Sequence, residues 1–332
     1  MGGPGGWRRL GESAFLADIT ARDRDPGRIA ATIIGGLCVG LVGAVACWIL
    51  VLVPYTFLVG LGREGLIGVG KVAIAFQDPD AHDLGITILR LVASTTVDGV
   101  IPVALVGLAA LIFSRPLQHY VTAASRIRWR LGLAGFALAA IAMSPLVMAD
   151  RLSMPQASLI PMFAITPDWW GRLLYALSAL LLVPAAAAEE LMFRGWLLRQ
   201  LAAFTRNPAV LIIVTGVAFA AAHLEFSPDA FLYRALMGAG LAYMTLRLGG
   251  IELATGAHAA NNILIVIFTA PLSGASSDAS SAVTAVDGRA DLMVLVSYVL
   301  IAEAIVRFTP LREWSGVKLA EIAPPAAAER SG

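Results

Sequence analysis

Apolar residues in this chain come in long runs, without the alternation of a half-buried strand or the one-sided stripe of a surface helix. A helix needs about 20 apolar residues to cross a bilayer. On that measure eight spans follow one another, at 30–57, 84–113, 131–149, 171–192, 208–225, 229–247, 250–270 and 291–308. The predicted fold class is all-α: a polytopic transmembrane helix bundle of about eight spans. Several runs exceed one span and are expected to tilt or to continue beyond the lipid. The breaks divide the chain into an N-terminal arm (1–28), N-terminal transmembrane helices (29–170), a core (171–270), a loop with the last helix (271–308) and a disordered tail (309–332).

Span one carries Gly35, Gly36, Gly40 and Gly43, a small-residue face that lets another helix approach closely. Residues 61–83 read as a loop holding one apolar piece, Leu66 to Phe76, too short to cross. That loop ends in a solvated acidic turn, Asp78-Pro79-Asp80-Ala81-His82-Asp83. In span two Arg90 and Asp98 lie eight apart, nearly on one face, and are expected to form an internal pair. Residues 150–170 close on Trp169 and Trp170, side chains suited to a membrane interface. The Ser/Ala/Gly-rich stretch 271–290 reads as a loop, and the Pro/Ala-rich stretch 309–332 as disordered.

Composition agrees with a membrane protein: 58% of residues are hydrophobic and 14% charged, against roughly a quarter charged in a soluble domain. A net charge of +1 gives no ground for nucleic-acid binding. Arginine and lysine set the orientation. The arm, the 114–130 loop, the Arg194–Arg206 segment and the Arg307–Lys318 tail are basic, whereas 61–83, 150–170, 226–229 and 271–290 are acidic or nearly neutral. Eight spans put these two sets on opposite sides, so both termini are expected in the cytoplasm of a bacterial inner (cell) membrane. Cys38 and Cys47, nine apart on one helix, are too far apart to bond each other and read as apolar filler. No short apolar segment with a cleavage site opens the chain, so no removable signal peptide is expected.

Against this background a few polar residues stand out. Glu189-Glu190-Leu191-Met192-Phe193-Arg194-Gly195 follows the apolar run from Leu173 to Ala188. A carboxylate in hydrocarbon costs several kcal/mol unless it is paired or hydrated, and so marks a functional site. On a helix Glu190 and Arg194 share a face, while Glu189 points about 100° away. One carboxylate is then held by the arginine while the other faces a cavity. His223 lies one turn after Phe219, and His258 one turn before Asn262. A hairpin turning at Thr205–Pro208 brings Glu189, Glu190 and His223 level, about 25 Å from the turn at 1.5 Å per residue. The structural alternative is an interfacial salt bridge and packed, hydrogen-bonded histidines.

The set has a chemical logic. Amide hydrolysis needs a base for water and donors for the developing oxyanion. A partly desolvated glutamate becomes a usable base near neutrality. Two histidines and a glutamate could instead hold Zn²⁺ and acidify a bound water. The chain contains no His-Glu-x-x-His, Gly-x-Gly-Asp or Gly-x-Ser-Gly, the signatures of other intramembrane proteases.

In order and spacing, Glu-Glu-x-x-x-Arg, Phe-x-x-x-His and His-x-x-x-Asn on successive apolar segments resemble the CPBP family, over about 171–270. That family comprises CAAX prenyl endopeptidases and bacteriocin-processing or Abi proteins. The resemblance implies an intramembrane endopeptidase that cuts a membrane-associated or lipid-modified peptide or protein substrate. Glu189 would activate water with His223, His258 and Asn262 would serve the oxyanion or the substrate carbonyl, and Glu190 and Arg194 would brace the site. Family members are described both as metalloproteases and as glutamate-dependent enzymes. The candidate Zn²⁺ ligands are Glu189, His223 and His258. Two histidines in hydrocarbon are hard to account for by oxyanion work alone, which tilts the expectation towards a metal-assisted reaction. Residues 1–170 hold no motif of the family. Two readings compete: a non-catalytic membrane scaffold or immunity-type protein of the same family, and a transporter with proton-relaying side chains. The polar residues cluster in one half and no inverted repeat is visible, which weighs against the transporter.

Overall fold

The computed structural model describes residues 9–77, 84–152, 169–268 and 288–322. Among them every regular element is helical, and one isolated antiparallel bridge joins Thr122 to Gly250. Among the described residues each of the eight expected spans is mostly helical, although the 208–225 span ends as helix at Ala222. The elements are α1 (Pro26–Gln77), α2 (Leu84–Ile112), α3 (Trp129–Leu152), a composite rod, α7 (Pro208–Ala222), α8 (Pro228–Leu248), α9 (Glu252–Phe268) and α10 (Gly288–Arg307). The rod consists of α4 (Trp169–Ala179), α5 (Leu182–Glu190), a π-helical segment (Leu191–Leu197) and α6 (Leu198–Ala202). Four stretches are long and apolar enough to cross a membrane: Pro26–Leu58, Ile88–Ile112, Trp129–Met148 and Trp169–Ala202. On α1, Ile34, Val42, Leu50 and Leu58 are 64–76% exposed, an apolar face of the kind that lies against lipid. The protein is an integral membrane helix bundle.

Helix pairing follows from where small residues allow it. A Cβ on Gly36 would lie 2.7 Å from Leu105 Cα and one on Gly40 2.8 Å from Ile101 Cα, so the glycine face of α1 is where α2 packs. The main core is shared by α3, α8, α9 and α10 through Leu131, Met237, Leu241, Leu253, Tyr298 and Ile305. Into this frame α5 and the π segment are inserted, touching α2 on one side and α9 or α7 on the other.

Two expectations change. Residues 61–77 are helical rather than a loop. The chain reverses at Gly65, whose φ of +63° costs only glycine nothing. The short apolar helix Gly65–Ala75 then lies back on span one, with Val69 so near Gly60 that a Cβ there would meet its backbone at 2.4 Å. Too short to cross, this helix buries Val72 instead. Arg90 donates to the Ala75 carbonyl at its end (2.7 Å), a use of the guanidinium other than the expected pair with Asp98. The tail is also ordered as far as it is described: α11 (Thr309–Trp314) and α12 (Leu319–Ile322) flank a buried Val317. The acidic turn at 78–83, most of the 150–170 segment and most of the 271–290 loop lie outside the described residues.

The charged arm is a docked element. Leu10, Phe15 and Leu16 pack against Leu198, Leu211 and Leu246. Around them Arg115 donates to both Asp23 oxygens (2.8 and 3.1 Å), Arg199 to Asp18 and the Phe15 carbonyl, and Gln200 to the Asp23 carbonyl. Burial opposes ionisation of Asp23, but the hydrogen bonds from Arg115 and the Thr20 amide outweigh it and hold its pKa below the ordinary value. For Asp18 burial is likewise outweighed, here by the charges of Arg199 and Arg115. Nearby, Arg128 pairs with Glu252 (2.8 Å) and donates to the Leu248 carbonyl (2.9 Å). The arm, residues 113–128, residues 199–207 and the α8–α9 turn therefore gather at one end of the bundle.

Candidate active site

The rod places the two carboxylates differently. Glu190 ends α5 and is fully buried, as is Arg194 one turn on in the π segment. Arg194 Nη1 donates to Glu190 Oε1 (2.7 Å) and Nη2 to the Gly238 carbonyl on α8 (2.9 Å). The same Glu190 oxygen lies 2.8 Å from His258 Nδ1 on α9. Since an ionised carboxylate only accepts, Nδ1 carries the proton of this bond. His258, 1% exposed, is thus oriented by a carboxylate that an arginine anchors. Its other nitrogen, Nε2, stands 3.8 Å from Oε2 of Glu189, which retains 15% exposure and, among the described residues, pairs with no arginine.

Glycine makes this chain of contacts short. A Cβ on Gly216 would fall 2.6 Å from the Ala235 carbonyl, and one on Gly238 2.9 Å from Gly216 Cα. The α7 and α8 backbones can therefore touch where Arg194 reaches Gly238.

The α7 side of the site is aromatic. Phe219, 1% exposed, makes edge contacts with Phe193 (5.2 Å between centroids), His223 (4.8 Å) and His258 (5.4 Å), and the Arg194 guanidinium lies 4.7 Å from its centroid. In an antiparallel hairpin Phe193 opposite Phe219 sets Glu189 level with His223, the register the sequence implies. His223 itself sits at the exposed end of α7, its Nδ1 on the Phe219 carbonyl (2.8 Å). A carbonyl only accepts, so Nδ1 is the donor and Nε2 has the free lone pair. The next residue, Leu224, is held at φ +56°, a strained position that ends the helix at the histidine.

Of the six sequence candidates, Glu189, Glu190, Arg194 and His258 form one connected group, with His223 joined to it through Phe219. Asn262 is half-buried on α9, and the contact described for it is with Asn261 (3.5 Å). Asn261 is the more buried amide and accepts from the Tyr233 hydroxyl (2.6 Å). Sequence reasoning passed over both residues. The Asn261-Asn262 doublet was a usable signal, whereas nothing near Tyr233 pointed to the site.

The expected zinc set does not assemble. Among the described residues no three His, Cys, Asp or Glu side chains are gathered closely enough to hold a metal ion. The Phe219 ring lies in edge contact with both histidines. The residues present do not fit the three-ligand catalytic site zinc requires.

Residues 169–264 match the sequence model of the family described as type II CAAX prenyl endopeptidase Rce1-like. The chain is 32% identical over 167 residues to the uncharacterized protein YyaK of Bacillus subtilis (strain 168), an alignment covering 47% of this chain and 54% of that protein. The chain thus spans about half the length of the curated relative it matches. No solved structure matches. The matched segment runs from α4 into α9 and contains all six candidate residues, so this core is similar to that of the CAAX-type membrane proteases.

Proposed function

We propose that the protein is an intramembrane endopeptidase that hydrolyses a peptide bond of a membrane-associated or lipid-modified peptide or protein without a resident metal. The carrying observation is that Glu189 is left out of the Arg194–Glu190–His258 chain, partly exposed and 3.8 Å from His258 Nε2. A carboxylate so placed accepts a proton from water as the water oxygen bonds to the carbonyl carbon. His223 Nε2, with its lone pair free, helps to position that water. The developing oxyanion meets His258, whose Nε2 donates when the ring is protonated on both nitrogens, and the Asn262 amide. When the tetrahedral intermediate collapses, the C–N bond breaks and Glu189 returns its proton to the leaving amine. Glu190 and Arg194 orient His258 and take no part in the bond changes.

The test uses purified protein in nanodiscs and a membrane-tethered peptide library read by mass spectrometry. Glu189→Gln should fold with wild-type thermal stability and lose about 10²–10⁴-fold in turnover, and wild-type activity should persist through exhaustive chelation. Full activity in Glu189→Gln would remove the assigned base. Loss on chelation with recovery on added zinc would replace the direct-water mechanism with a metal-assisted one.

A further inference from the structure

Where the arm meets the turn before α7, two arginines lie side by side without a carboxylate between them. Arg24 donates Nε to the Ala203 carbonyl (2.6 Å), and Arg206 donates both Nη nitrogens to the Leu16 carbonyl (3.1 and 3.2 Å). Each is tethered by a neutral oxygen, and among the described residues neither forms an ion pair. The acid whose charge acts on Arg206, Asp18, is already held by Arg199, Arg115 and His119. Burial and the neighbouring charge of Arg24 both push the Arg206 pKa down. The two cations face a cavity of about 250 Å³ that is also lined by Thr20, Ala21, Phe204 and Thr205.

An anion is what such a cavity lacks. Guanidinium groups bind phosphate oxygens in a forked, charge-assisted geometry, and the Thr205 hydroxyl, which accepts from the Asn207 amide, has its own proton to donate. The apolar surroundings narrow the choice of anion. Phe204 on the cavity wall is 62% exposed, and directly beyond it α7 presents Val210, Ile213, Val214 and Val217 outwards, each at least 38% exposed. Positions 210, 213, 214 and 217 form one stripe of a helix, leading from the arginines into the apolar zone of the bundle. A headgroup on the cations and a tail along the stripe would meet both surfaces at once.

We propose that Arg24 and Arg206 form a binding site for a phosphate group, occupied by the headgroup of an anionic phospholipid whose acyl chain lies along the outer face of α7. The site stands apart from the Glu189–His258 group and does not depend on the catalytic reading.

The experiment measures lipid retained by the full-length protein, by native mass spectrometry and phosphorus assay, after exchange from mixed phosphatidylglycerol and phosphatidylcholine vesicles. Wild type should keep phosphatidylglycerol selectively. Ala21→Glu places a carboxylate in the cavity while leaving both arginine tethers intact, and should lose at least ten-fold in retained phosphatidylglycerol with unchanged melting temperature. Arg24→Gln/Arg206→Gln should do the same, whereas Arg126→Gln, an exposed charge elsewhere on this end, should not. Isothermal titration with inorganic phosphate and glycerol phosphate separates the sources. Weak binding of these beside tight lipid retention supports the lipid, and saturation by free phosphate at equal strength would overturn the lipid assignment in favour of a soluble anion. Equal retention by wild type and Ala21→Glu would overturn the site.

Discussion

Residue by residue, the diacid motif shows how a buried charge can serve as an orienting device. Glu190 and Arg194 are both fully buried, so the pair is held in a medium where either member alone would be costly. Arg194→Met should therefore destabilise the protein by about 3–5 kcal/mol, read by thermal unfolding in detergent, because it strands the Glu190 carboxylate. Arg194→Lys should recover little, since one ammonium cannot span both Glu190 and the Gly238 carbonyl as the guanidinium fork does. The double variant Glu190→Leu/Arg194→Leu should regain most of the stability yet stay inactive, because His258 loses the acceptor that fixes its ring. Stability and activity that recover together would mean that the pair has no orienting role. The sequence exposed this arrangement because charges are conspicuous in an apolar run and their spacing puts Glu190 and Arg194 on one face. It hid Tyr233 and Asn261, whose importance arises only when α8 and α9 meet across 28 residues of chain.

Among the elements, the informative departures are those that periodicity cannot carry. Helix widening over Leu191–Leu197 leaves no mark in the composition, although π-helical turns commonly accompany functional sites. Similarly, Gly65 gave no warning that a short apolar piece would fold back on its own span, since a loop and a helical hairpin have the same hydrophobic count. The glycine face of span one was legible, because small residues every three or four positions have one obvious use. The Gly216–Gly238 contact has the same origin but supports the site. Gly238→Val should force α7 and α8 apart and shift the carbonyl that Arg194 holds, lowering turnover more than Gly99→Val, whose position has nothing near the added Cβ. Equal losses in the two variants would argue that the close helix approach is irrelevant to catalysis.

For the molecule as a whole, the arginine count assigned the arm, the 114–130 loop, the Arg194–Arg206 segment and the Arg307–Lys318 tail to one side. The structure gathers the arm, residues 113–128 and residues 199–207 at one end together with the α8–α9 turn, which the count did not name. We propose that this end faces the cytoplasm. A C-terminal fluorescent fusion should then fluoresce and a C-terminal periplasmic phosphatase fusion be inactive, and the reverse would flip the bundle. The arm's docking was not legible, because a mixed-charge stretch reads as solvated until its partners at Arg115 and Arg199 are known. Its stability should depend on pH in a definite direction. Asp18 and Asp23 have folded pKa values held below the ordinary one, so the unfolded arm binds protons more readily than the docked arm. Their contribution is fully present above the ordinary aspartate pKa of about 3.9, and it is lost as pH falls through the lower folded values. Hydrogen exchange over residues 9–25, corrected for intrinsic rates, should show protection at pH 7 that declines below about pH 4. Protection of α9 should hold over the same range. Asp18→Asn/Asp23→Asn should abolish most of the decline by removing both titrating groups, and wild-type protection that stays constant on acidification would mean that apolar packing of Phe15 and Leu16, not the ion pairs, holds the arm in place.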